Sequence, residues 1–113
     1  MHEFSIAVSI INIVENNALK NNAKEIISVD IEVGEVSGVD PDALALALES
    51  AVTDTKLEKS IINLITIASL AKCLKCSHEF KPDDIFSPCP FCGDYQHEIM
   101  KGKELNVRSI NIE

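Results

Sequence analysis

The sequence predicts an α+β protein in which two helices pack on a three-stranded sheet and a four-cysteine module is inserted near the C-terminal end. Three observations carry this prediction. Apolar residues recur first at helical spacing, then in strict alternation, then at helical spacing again. A second run, rich in Ile and Thr and free of Gly and Pro, leads into a short segment that holds every cysteine of the chain. A last apolar run of strand character follows that segment.

Taken in order, Ile6, Ile10, Ile13 and Val14 form one apolar stripe of an amphipathic helix, and the Asn16-Asn17 and Asn21-Asn22 pairs mark its fraying end. Residues 26–33 change period: Ile27, Val29, Ile31 and Val33 alternate with Ser28, Asp30 and Glu32, the pattern of a half-buried strand. Gly34 and Gly38 bracket a turn. Asp40-Pro41 reads as a helix start, with Asp40 as N-cap and proline at the first helical position. Leu44, Ala47, Leu48 and Ala51 give this second helix its stripe. Residues 61–71, rich in Ile and Thr and free of Gly and Pro, predict a strand that runs straight into Cys73. In the final run Leu105 and Val107 share one parity while Ile110 and Ile112 share the other, which predicts a bulge near Arg108-Ser109. The domain reading is therefore 1–71 plus 103–113 as an α/β domain, with 72–102 as a separate metal-binding domain.

Composition narrows the function. In 113 residues, 46% are hydrophobic but only 4% aromatic with no Trp, so the core is aliphatic. The net charge of -8 disfavours nucleic acid, whose phosphates need Lys and Arg, and is equally unsuited to anionic lipid. It suits cation traffic or a basic protein partner. No positive leader with an apolar run opens the chain, and no stretch reaches the roughly 18 apolar residues of a membrane span. The expectation is a cytoplasmic protein. No nucleophile with a paired base and no phosphate-binding loop is visible, so no enzyme is expected.

Cys73, Cys76, Cys89 and Cys92 form two C-x-x-C pairs. In a reducing compartment such pairs are metal ligands rather than disulfides. Two residues between paired cysteines let one backbone turn present both sulfurs to a tetrahedral ion, and zinc is the metal this set suits best. With four protein ligands the site is closed, so the zinc is structural. Rubredoxin-like iron and a redox C-x-x-C are the rivals; the first wants flanking aromatics that are sparse here, the second a βαβ thioredoxin context. Gly93 can turn the chain behind the second pair, whereas the first pair ends in Ser77 and is the less ideal knuckle. His78 is a candidate replacement ligand, or else a surface histidine.

The N-terminus offers a different donor set. The Met1 amine and the His2 amide nitrogen close a five-membered chelate ring, and the His2 amide with its own Nδ1 closes a six-membered one. Three nitrogens then hold three corners of a square, the preference of Ni(II) and Cu(II). Glu3, His97 or water can supply the fourth corner. An inert terminus and a surface His97 are the bland readings of the same residues.

The Met1-His2-Glu3 start followed by Ser5, the Val33-Gly34-Glu35 strand end with Ser37, the two C-x-x-C pairs and the Gly102-Lys103-Glu104-Leu105 to Ser109-Ile110 segment together resemble the HypA/HybF family of hydrogenase-maturation nickel metallochaperones. The likeness runs over nearly the whole chain. It implies a transient Ni(II) site at His2, with Glu3 and backbone groups near it, and a structural Zn(II) at the four cysteines. It also implies partners: the maturation GTPase, the hydrogenase large subunit and, in some organisms, urease accessory proteins. Some members carry a histidine beside each C-x-x-C pair; here Gly93 follows Cys92, and only His78 remains. The competing reading is a zinc-ribbon interaction module with no nickel role. Asp40 is assigned a capping role.

Overall fold

A computed structural model describes residues 2–113, with side chains from residue 3 onward. The elements are α1 (His2–Lys20), β1 (Ile26–Gly34), α2 (Pro41–Ala51), β2 (Ile61–Ile67), β3 (Leu70–Cys73), β4 (Glu79–Phe80), β5 (His97–Lys101) and β6 (Leu105–Ile112). They form two three-stranded sheets, in the orders β2-β1-β6 and β4-β3-β5. The chain divides into two compact units: one comprises the stretches through residue 32, 39–65 and 106–113, the other 33–38 and 66–105.

In the first unit α1 buries Ala7, Ile10, Ile11, Val14 and Ala18, while Ile13 is 55% exposed. The buried face therefore follows i, i+3, i+4, i+7 and i+11 from Ala7, and the expected place of Ile13 in the stripe is corrected. At 100° per residue Ile13 lies well off the arc that Ala7 and Val14 define, and alanines let the helix approach its neighbours closely. The Asn pair at the helix end has a defined role. Asn22 adopts a left-handed φ of 52°, the Ala23 N–H bonds to Ala18 O at 3.0 Å and the Asn22 N–H to Leu19 O at 3.1 Å. This is a Schellman cap, with asparagine where glycine is usual.

Asp40 caps α2 as expected: its Oδ1 accepts the Asp42 N–H at 2.9 Å, and Pro41 begins the helix. Leu44 and Leu48 are buried, as is Leu57 in the irregular stretch that follows, a core position outside any periodic run. The β1–α2–β2 order is a crossover unit. Ser60 Oγ donates to Ile26 O, Asn63 Nδ2 to Asp30 Oδ1 and the Glu35 N–H to Ile67 O, so β1 and β2 advance together and are parallel. Against β6 the sense reverses: Glu25 and Glu113 exchange N–H···O bonds, and the Gly34 N–H bonds to Glu104 O. The first sheet is therefore mixed. In β6 the sequence neighbours Arg108 and Ser109 reach Glu32 and Asp30, two β1 residues of one parity. The half-buried positions change parity at the same place, from 105 and 107 to 110.

The second unit departs from expectation in two ways. The predicted single strand over 61–71 is broken after Ile67. Ser69 is 5% exposed, and its N–H goes to Glu35 Oε1 at 2.8 Å rather than to a strand. Its Oγ donates to Pro82 O at 3.2 Å. The cysteine segment, read above as a metal-binding domain with no strands assigned to it, contains the sheet β4-β3-β5, with Ala71 opposite Phe80 on one side and Ile99 on the other. Ala71, Cys73, Phe80 and Cys89 form its small core, with Cys76 and Ile99 packed against them. The segment 33–38 belongs here too, because the Gly34 N–H bonds to Glu104 O at 2.7 Å and the Val36 N–H to Gly102 O at 2.8 Å.

Candidate metal centre

β3 delivers Cys73 at its end, and the chain then turns through two loops built alike. In the first, the Ser77 N–H bonds to Cys73 O at 3.0 Å and the Cys73 N–H to His78 O at 2.9 Å. In the second, the Gly93 N–H bonds to Cys89 O at 2.8 Å and the Cys89 N–H to Asp94 O at 2.8 Å. Ser77 takes a φ of 67° and Gly93 a φ of 78°. A left-handed turn behind each C-x-x-C pair is what brings the chain round, and in the first loop a serine adopts it against its own steric preference. The sequence signal for this was the position of Ser77, which matches that of Gly93 in the other loop.

All four sulfurs lie within 4.8 Å of one another. Cys73 and Cys92 sulfurs are 3.5 Å apart, and those of Cys76 and Cys89 3.6 Å. Tetrahedral coordination at a Zn–S distance of ~2.3 Å gives sulfur–sulfur edges of about 3.8 Å, so the four donors fit such an ion. Backbone N–H groups point at sulfur from inside each loop, Cys76 to Cys73 and Phe91 to Cys89, both at 3.4 Å. Without a cation the thiols perturb one another. The Cys76 N–H, helped by that of Lys75 and the neighbouring sulfurs, brings Cys73 down to about 6. The His78 N–H pulls Cys76 down, but burial and the surrounding cysteines outweigh it and push it up to about 12. Cys92 is raised as well: the Asp94 N–H opposes, but burial with Cys73 and Cys89 prevails. Four thiolates this close repel one another, and a divalent cation among them removes that cost.

The two histidines of this unit have different places. His78 Nδ1 is 3.3 Å from Cys76 Sγ, and its ring stacks on Phe91 with centroids 4.4 Å apart. His97 sits in β5 opposite Cys73, its Nδ1 2.9 Å from Tyr95 O and its ring edge-on to Phe80. Among the described residues the clustered ligands are the four cysteines, with no histidine in the set. Met1 and the His2 side chain lie outside the described residues; Glu3 is half-buried in the first turn of α1. Sequence reasoning missed the Glu35 network. Glu35 accepts from Lys81 Nζ and from the Ser69 N–H, and these contacts hold its carboxyl below the usual value of 4.5.

Two compact units, one holding both helices and the other four clustered cysteine sulfurs spaced for one tetrahedral ion, define a metal-binding class of protein. Residues 1–112 match the family model described as hydrogenase/urease nickel incorporation, metallochaperone, HypA. The hydrogenase maturation factor HypA of Parabacteroides distasonis is 44% identical over 112 residues, covering 99% of this chain and 97% of the relative. That of Francisella philomiragia is 36% identical over 110 residues, with 97% of each chain covered. The solution structure of the nickel metallochaperone HypA from Helicobacter pylori superposes with a TM-score of 0.69 at 28% identity, over 97% of this chain and 96% of that one. The chain belongs to the HypA family of nickel metallochaperones for hydrogenase maturation, which act as carriers rather than catalysts. Among the described residues no helix is long and apolar enough to cross a membrane.

Proposed function

We propose that Ni(II) is carried at the N-terminus by the Met1 amine, the His2 amide nitrogen and His2 Nδ1, with Glu3 nearby, in the unit that contains α1. The observation that carries this is that α1 begins at His2. The first N–H groups of a helix have no intrahelical acceptor, so deprotonating and ligating the His2 amide breaks no helix hydrogen bond. The resulting negative charge sits at the positive end of the helix dipole. Three nitrogens leave one corner of the square to an exchangeable donor, which suits a site that must release its ion. Glu3, His97 or water is the candidate donor for that corner.

Zn(II) is the resident metal of the second unit, held by Cys73, Cys76, Cys89 and Cys92, and it supplies the cross-link that a core of this size lacks. His78 stands beside this set as an outer neighbour of Cys76. The partners are the maturation GTPase that drives insertion and the hydrogenase large subunit that receives nickel, with urease accessory proteins where urease is served. Four free cysteines support a reducing, cytoplasmic location.

Nickel titration of zinc-loaded protein tests the N-terminal site, using the native N-terminus, a form with residues added before Met1, and His2→Ala. One tightly bound ion with planar-nickel absorbance in the native protein alone is the expected result. Equal binding by all three forms refutes the N-terminal site.

A further inference from the structure

The four cysteine residues are unequally sheltered. Cys73 and Cys89 are each 1% exposed, Cys76 is half-buried and Cys92 is exposed. The two buried sulfurs also accept N–H groups within their own loops, Cys73 from Cys76 and Cys89 from Phe91. The Cys76 sulfur has the His78 ring beside it, with Nδ1 at 3.3 Å, and that ring stacks on Phe91. Oxidation of a thiolate needs access to the sulfur as well as electron density on it. Of the four cysteines Cys92 is the exposed residue, and the Cys73 sulfur lies 3.5 Å from its own in the opposite loop.

We propose that Cys92 is an oxidation-sensitive modification site resolved by Cys73, so that a peroxide converts the metal centre into a Cys73–Cys92 disulfide that no longer retains zinc. This rests on the zinc reading above. In the first step the Cys92 thiolate attacks a peroxide oxygen; the S–O bond forms, the O–O bond breaks and hydroxide leaves, giving the sulfenic acid. In the second, the Cys73 thiolate attacks the Cys92 sulfur, the S–S bond forms and the S–O bond breaks with loss of a second hydroxide. Two thiolates are oxidised by two electrons, the peroxide is reduced, and solvent protons convert the hydroxides to water. Half of the donor set is then gone. Cys76 and Cys89, 3.6 Å apart, are left to pair with a second equivalent of oxidant. The bridges join the two loops and do not close either C-x-x-C pair on itself.

The test uses the full zinc-loaded chain. Metal analysis comes first, then hydrogen peroxide below one equivalent, thiol blocking and peptide mapping without reduction. The expected first product is the Cys73–Cys92 disulfide, with one zinc released per bridge. A first bridge within a C-x-x-C pair, or zinc loss without any bridge, overturns the proposal. His78→Ala removes the ring whose Nδ1 lies 3.3 Å from Cys76 Sγ, so the Cys76–Cys89 bridge should gain at least severalfold in share. An unchanged product ratio refutes the shielding argument. A chain that carries no zinc at the outset overturns the zinc assignment, while the peptide map still decides the order in which the sulfurs react.

Discussion

Replacing Gly34 with alanine probes a contact that involves no side chain at all. A Cβ built at Gly34 meets Gly102 O at 2.0 Å, Gly102 C at 2.2 Å and Glu104 N at 2.7 Å, all backbone atoms. No rotamer change relieves this, so the end of β1 and the β5–β6 connection must separate. Separation strains the Gly34 N–H bond to Glu104 O and the Val36 N–H bond to Gly102 O, at 2.7 and 2.8 Å. Overpacking costs about 1–3 kcal/mol and each weakened hydrogen bond about 1, so a destabilisation of about 3 kcal/mol is expected. Hydrogen exchange at the Gly34 and Val36 amides should accelerate roughly 100-fold, and Tm should fall by about 10 °C or more. Gly38→Ala is the control: Gly38 has a φ of +85° but nothing within 4 Å of its would-be Cβ. It should cost only about 1 kcal/mol, from backbone conformation alone. If Gly34→Ala leaves both amides protected and matches the Gly38 variant in Tm, the close-approach argument is wrong.

Ser77→Gly should relieve the left-handed strain behind the first cysteine pair and tighten zinc retention by about 0.5–1 kcal/mol, or roughly two- to fivefold, as read by chelator competition; unchanged or weaker retention contradicts the strain. The depressed carboxyl of Glu35 contributes stability that is fully present above its ordinary value of 4.5 and is lost as pH falls through the depressed folded value. The wild-type advantage over Glu35→Gln should therefore shrink on acidification, with a carboxyl NMR titration midpoint below 4.5; a midpoint at or above that value refutes the reasoning. Stripping the metal with a chelator at neutral pH should abolish amide protection in β3 and β5 while most of the helical circular dichroism of α1 and α2 survives. A complete loss of helical signal would show that the first unit also depends on the metal.

Legibility followed the distance over which each feature is decided. The alternation of Val29, Ile31 and Val33, the Asp40-Pro41 helix start and the two C-x-x-C pairs are set by neighbours a few residues away and are visible in the string of residues, whereas Ile27 is exposed and Ile26 takes the buried place at the start of β1. Ile13 was misplaced because two helical stripes, through Ile10 and Ile13 or through Ile10 and Ile11, fit nearly equally well until packing chooses. The break after Ile67 was invisible because its cause is Glu35, which takes the Ser69 N–H from 34 residues away. The second sheet was missed because β4 is two residues long and β5 carries charged residues among its apolar ones.

The sequence by itself determined the class of protein: an α+β chain with an acidic surface, four thiolates paired for one ion, and a histidine at position 2. These are properties of residue type and spacing, which local chemistry alone constrains. Tertiary structure decided that Gly34 and Gly102 must lack side chains, that Lys81 finds Glu35 across 46 residues, and that Cys92 rather than Cys73 faces solvent. Those outcomes depend on which distant segments exclude water and each other's atoms, a condition that exists only once the chain has closed on itself.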